Sequence, residues 1–149
     1  MNHFFFVIKY FITVYLLNYF WESWHAYYLY LGYAGKNFVD YSMPEYLKLI
    51  SRVSFVDAGI LTVILLIGFL IWKDLFWFKK LFNMKISREF IYFIIASVGV
   101  AVWIEIKGVY ILKEWSYLAS MPLILGLGFS PLVQLSVTGF MGLWFFKQK

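Results

Sequence analysis

The sequence predicts an all-α membrane protein, a bundle of four transmembrane helices with both termini in the cytoplasm. Three observations carry this prediction. The first is composition: 63% of the residues are hydrophobic, 24% are aromatic and only 14% are charged, whereas a water-soluble domain carries about 25% charged residues. The second is clustering, because the apolar residues fall in four blocks, each close to the roughly 20 residues that cross a hydrocarbon core of about 30 Å. The third is the position of the basic residues, which collect in short segments between blocks as cytoplasmic loops require. The 149-residue chain is therefore read as a single integral membrane domain with spans at about residues 8–30, 53–72, 90–110 and 122–146. Its expected home is the plasma membrane, as a multi-pass protein.

The same composition narrows the function classes. Without cysteine there is no disulfide framework, thiolate metal site or thiol chemistry. The net charge of +5 follows from the loop lysines, and no basic patch interleaved with aromatics points to nucleic acid. Neither a Gly-rich phosphate loop, an H-E-x-x-H pair nor a G-x-S-x-G elbow is present, so no cofactor is implied. The expected surroundings are the lipid bilayer, with a lipid-like ligand or a membrane protein as further partners.

In chain order, the first block is apolar and aromatic, interrupted by Lys9 and by Asn18, Glu22 and His25. Met1-Asn2-His3 lacks a basic n-region and no small-x-small cleavage pattern follows, so the block reads as a permanent span rather than a signal peptide. Residues 32–52 are the most polar stretch, and within it Ser42-Met43-Pro44-Glu45 has the form of a capping box with proline in the first turn. A helix starting there lies on the membrane surface or runs straight into the second span. The stretch KDLFWFKKLFNMKISR, residues 73–88, holds five basic residues against one acid and reads as a cytoplasmic interfacial loop. The tail Lys147-Gln148-Lys149 carries the same signature. Lys113, Glu114, Trp115 and Tyr117 read as an interfacial belt at the other face. Met121-Pro122 is expected to open the fourth span, with a weak point at Ser130-Pro131 because proline removes a backbone bond and disfavours helix before it.

This topology has a chemical consequence. Spans one and three run outward and spans two and four inward, which places Glu22, His25, Asp57, Glu105, Lys107 and Ser130 at one depth in the outer half. A charge at the membrane centre costs about 2.5–3.5 kcal/mol on insertion scales, so these groups are expected to face the bundle interior together. Asn18, Glu22 and His25 are four and three residues apart and share one helical stripe, as do Ser130, Gln134 and Thr138. Glu105 and Lys107 diverge around their helix, so Glu105 points inward and Lys107 toward the headgroups. Candidate acid–base groups are Glu105, Glu22 and His25. Candidate ligand-binding residues are Asp57, Lys107, Ser130, Gln134 and Asn18.

Blander readings stand beside these. Glu22-x-x-His25 matches the spacing of di-iron carboxylate bundles, but such sites need a second motif and two further glutamates, so no metal is expected. His25 can be a satisfied histidine bonded to Glu22 or a tyrosine. Asp57 can pair with Arg52 at a span end. Gly126, Gly128, Gly139 and Gly142 can serve close helix packing, or the proline break can open a cavity opposite Glu22 and Glu105.

The runs W-S-Y-L-A-S-M-P and G-L-G-F-S-P-L-V-Q, with Glu105 before them and Asp57 opening span two, resemble the closing half of small multi-pass bacterial membrane proteins of unassigned activity. The resemblance implies membrane location and gives weight to Glu105, Pro122, Pro131 and Gln134. In outline, without a shared motif, the bundle is also similar to the sterol-isomerase type, which keeps His and Glu in a membrane cavity. Two function classes follow. One is a structural, accessory or small transport component whose buried polar groups hold helices in register. The other is a membrane enzyme or binding protein acting on an isoprenoid-like or sterol-like molecule by acid–base chemistry.

Overall fold

The computed structural model describes residues 3–82 and 86–147. Met1, Asn2, the Asn83, Met84 and Lys85 portion of the basic loop, and the tail residues Gln148 and Lys149 lie outside the described residues. Four α-helices are present among the described residues: α1 (His3–Tyr28), α2 (Met43–Trp72), α3 (Arg88–Glu105) and α4 (Phe129–Trp144). A π-helical segment, Ile106–Ile111, extends α3. Three helical stretches, His3–Tyr28, Met43–Trp72 and Arg88–Ile111, are long and apolar enough to cross a membrane.

Each boundary has a local cause. Helix α2 starts where the sequence places a capping box, and the Glu45 carboxylate accepts from the Ser42 backbone N–H at 2.9 Å and from its hydroxyl at 2.8 Å. It continues without a break into the apolar segment, so Lys48 and Arg52 belong to this helix rather than to a loop. Its end is a left-handed Lys73 at φ 56°, whose N–H bonds the Phe69 carbonyl, a common helix stop. Helix α3 starts at Ser87, whose hydroxyl accepts from the Phe90 N–H at 3.1 Å. Helix α1 passes Glu22 and His25 without interruption.

The fourth helix departs from expectation. It begins at Phe129 rather than Pro122, and its 16 residues cover about 24 Å at 1.5 Å per residue. The residues ahead of it form a hairpin, β4 (Leu123–Ile124) with β5 (Leu127–Gly128). Leu125 at φ 51° and Gly126 at φ 82° form its two-residue loop, and two consecutive positive φ values are what a type I′ turn needs. Pro131 consequently lies in the first turn of α4, where its missing N–H has no intrahelical acceptor to lose. The helix starts there instead of kinking. Gly139 and Gly142 do serve close packing, against Leu61 with Phe93 and against Val14 with Tyr10, while Gly126 and Gly128 serve the hairpin.

A second departure from an all-helical chain lies at the same end. β1 (Tyr30–Tyr33) follows α1 and pairs with β2 (Lys36–Asn37) through a left-handed Ala34-Gly35 turn; its other edge pairs with β3 (Trp115–Tyr117) after the π segment. Together with the β4–β5 hairpin this makes a cap over one end of the bundle. Ser120 Oγ donates to the Tyr28 carbonyl at 2.8 Å and Tyr110 OH to the Gly126 carbonyl at 2.8 Å, tying the pieces of the cap together.

The opposite end is aromatic. The basic loop contains a 3-10 helix, Trp77–Phe82, whose Trp77, Phe78 and Leu81 are buried. Phe78 stacks on Phe6 with centroids 5.2 Å apart, and Phe6 meets Phe146 edge-on at 5.4 Å, so the start of α1, this loop and the end of α4 meet. Trp77 sits against Gly68 and donates to the Leu65 carbonyl at 3.1 Å. The bundle is apolar outside and partly polar inside: Ile12, Phe20, Phe55, Val63, Ile95 and Trp103 are exposed, while Asn18, His25, Ser97, Glu105 and Gln134 are buried. That distribution suits lipid surroundings.

A Cβ at position 68 would overlap the Trp77 indole, whereas one at Gly59 in the same helix meets nothing within 4 Å. Gly68→Ala is therefore expected to lose about 1–3 kcal/mol by overpacking, and Gly59→Ala to be neutral or to gain up to about 1 kcal/mol. Thermal unfolding of the two purified variants checks this, and equal shifts would refute the packing.

Candidate functional site

Near the capped end, side chains from all four helices converge. Gln134, one turn and a half into α4, is 4% exposed. Its amide nitrogen lies 2.6 Å from Glu22 Oε1 on α1, 2.9 Å from Asp57 Oδ2 on α2 and 3.2 Å from Asn18 Oδ1 on α1. Asn18 is oriented by its own Nδ2, which donates to the Val14 carbonyl at 2.9 Å and so turns Oδ1 toward α4. Thr138 Oγ1 completes the layer, donating toward Asn18 Oδ1 at 3.0 Å and the Gln134 carbonyl at 2.9 Å. Two amide hydrogens serve three acceptors, so the donors are shared among them.

Glu105 ends α3 and is 3% exposed. Its carboxylate accepts from Tyr117 OH on β3 and, at 3.4 Å, from Tyr30 OH on β1. The phenol of Tyr117 is held well above the usual tyrosine range by burial and by its bond to Glu105, so it stays a donor throughout the neutral range. Glu22, Asp57, Glu105 and Gln134 line one partly open cavity of about 100 Å³ together with Tyr30 and Trp115, its apolar wall including Ile50, Val53, Ile104 and Leu135.

Among the described residues no basic side chain lines this cavity. Among the described residues the Lys or Arg ion pairs are Lys36 with Glu45 at 3.1 Å and Lys80 with Glu89 at 3.0 Å, at the cap and at the opposite end. Asp57 therefore does not pair with Arg52, which is exposed; it turns inward to Gln134. Three carboxylates in an apolar bundle without a cationic partner need a proton or a bound cation to neutralise them.

His25 and Ser130 form a separate pair. Ser130 Oγ bonds His25 Nε2, and Trp21 Nε1 donates to the same nitrogen at 2.8 Å. His25 is fully buried and its Nδ1 has no hydrogen-bond partner. The expected partners Glu22 or a tyrosine are replaced because Glu22 is drawn to Gln134. His25, Ser130 and Asn18 do not line the carboxylate cavity; Asn18 meets it only through its bond with Gln134. Lys107 is exposed on the π segment and stands outside the cavity as well, turned away from Glu105 as their two-residue offset predicts. Among the described residues no three His, Cys, Asp or Glu side chains are placed to hold a metal ion.

Tyr30, Trp115 and Tyr117 are the site residues absent from the sequence expectation. Trp115 and Tyr117 look like belt aromatics because the segment between spans is polar, yet pairing with β1 turns them over the cavity. The available signal was the X-Gly dipeptide in Tyr33-Ala34-Gly35-Lys36, a hairpin loop, which folds the chain back and leaves an edge for β3.

No family model, no curated protein and no solved structure matches the chain. The class it belongs to is thus set by its own structure: a predominantly helical chain with three membrane-length apolar helices and an internal carboxylate cavity.

The two tyrosine contacts to Glu105 differ in quality. Tyr117→Phe removes the close donor and is expected to cost about 1–3 kcal/mol by leaving a buried acceptor short of a partner. Tyr30→Phe removes a long contact and is expected to cost clearly less. Thermal scans of the two variants measure the order, and a reversed order would remove Tyr117 from the site.

Proposed function

We propose that this is a small transport component of the plasma membrane, a four-span protein with both termini cytoplasmic whose outer-half cavity takes a small cation or protons. The observation that carries this reading is the convergence of Glu22, Asp57 and Glu105 on one cavity without a basic residue. Carboxylate oxygens are hard donors suited to small cations. The volume supports the same choice. About 100 Å³ is several times the roughly 10–15 Å³ that a cavity needs to admit one water, enough for a small ion with part of its hydration.

The lipid-enzyme reading is less well supported by these dimensions. Pockets for drug-sized ligands run to about 300–1,000 Å³, so a whole isoprenoid-like or sterol-like molecule would need the helices to part. An accessory role, in which the polar layer only holds the helices in register, makes a different prediction about Glu105, whose carboxyl faces the cavity.

In this reading the cap faces outward, which the basic 3-10 loop at the opposite end supports. A cysteine replacing Asn37 is then labelled by impermeant reagent on intact cells and one replacing Lys80 is not. The reverse pattern overturns the orientation.

Purified protein in liposomes is expected to take up a tracer monovalent cation (sodium, potassium or methylammonium) above protein-free liposomes. Asp57→Asn should reduce uptake about tenfold or more, the factor that about 1.4 kcal/mol of lost binding gives. Glu105→Gln is expected to fold and to lose uptake. Absence of uptake for all these cations, together with no proton flux above protein-free liposomes, would overturn the transport reading, and a Glu105→Gln chain that no longer folds would favour the accessory role.

A further inference from the structure

A second pocket, of about 300 Å³, opens in the cap, lined by Lys36, Asn37, Lys113, Glu114 and Trp115 among others. Trp115 also lines the carboxylate cavity. One residue therefore lines both spaces. We infer that Trp115 is the gate residue between the cap pocket and the carboxylate cavity. This rests on the reading of that cavity as a site entered from the capped side.

The seat of the ring is built for it. Gly108, in the π segment, presents no side chain, and a Cβ there would overlap the Trp115 six-membered ring. On its other side the indole stacks on Tyr33, centroids 6.2 Å apart and planes 14° from parallel. Shape and stacking thus hold it in place. Its buried Nε1 lies near the Glu105 carboxylate without a well-formed hydrogen bond. Two other buried or half-buried indoles are tied more firmly: Trp77 Nε1 donates to the Leu65 carbonyl and Trp21 Nε1 to His25. A ring held by stacking and one loose polar contact can turn out of its seat with no helix moving.

The backbone around it is also set apart. The last turn of α3 becomes a π-helix at Ile106–Ile111, a form concentrated at functional sites. Lys113 holds a left-handed φ of 54° two residues before Trp115, a conformation that costs energy for a side-chain-bearing residue. Trp115 itself sits in a strand of three residues at the sheet edge.

The chain has no cysteine, so a single introduced thiol reports access without background. Ala101→Cys places it on the cavity wall, and Ser97→Cys places it in the buried layer where Ser97 bonds Ser136 at 2.7 Å. The probe is a cationic, membrane-impermeant trimethylammonium thiosulfonate added to the capped side of the full chain in liposomes. The neutral methyl thiosulfonate is run in parallel. If the open form is a minor state of 0.1–10%, removing the ring should raise labelling of the Ala101→Cys thiol about tenfold or more. Trp115→Ala is expected to do this, Trp115→Phe to do it in part, and the Ser97→Cys thiol to stay slow in both. An unchanged rate at position 101, as lateral entry between helices would give, overturns the gate. So does an equal rise at position 97, which would make Trp115 a packing residue. Faster labelling by both reagents with no cation uptake would leave the gate standing and remove the transport reading.

Discussion

The structure depends on one shared amide. Gln134 carries two N–H bonds on α4 and holds Asn18 and Glu22 of α1 and Asp57 of α2 within reach of the same nitrogen. A buried carboxylate without a donor is costly in an apolar interior, so once these helices carry Glu22 and Asp57 they favour the single rotation and depth that bring both to Gln134. Apolar faces alone set such a relation loosely, because lipid competes equally for them. The polar layer supplies the register, and the glycines at 139 and 142 let α4 approach closely enough to make it.

The cap is the complementary device. Glu105 closes α3 at the depth where α1 gives way to β1, and its carboxylate is met by tyrosines from β1 and β3 rather than by a residue of another helix. The bundle therefore satisfies two carboxylates from within and one from its cover, and the space between them is the cavity. Positive φ values at Ala34, Leu125 and Lys113 turn the chain sharply enough for the cover to sit on helices instead of looping away from them.

Much of the bundle was legible from residue order. The 3.6-residue spacing of Asn18 and Glu22, and of Gln134 and Thr138, places each pair on an inward stripe, and the depth argument brings Asp57 and Glu105 to the same level. Polarity in an apolar helix is a strong signal because few arrangements can satisfy it. The cap was hidden for the opposite reason. Leu123, Ile124 and Leu127 are as apolar as any span, so hydropathy extends the fourth helix back to Pro122; only the Leu125-Gly126 turn shows that the chain reverses there. Lys107 lies outside the cavity, on the side that its two-residue offset from Glu105 gives it. His25 lies on the predicted stripe, yet its ring goes to Ser130, a choice fixed by tertiary packing that spacing cannot express.

The claim on which this account stands is that Gln134 and Asp57, on different helices, satisfy each other. A double-mutant cycle measures it directly, with Gln134→Leu, Asp57→Leu and the pair compared by thermal or denaturant unfolding in the same lipid. A coupling of about 0.5–3 kcal/mol, with the double variant less damaged than the two single losses combined, is what contact between these groups predicts. Strict additivity would contradict it, and with it the shared layer around which the helices are placed.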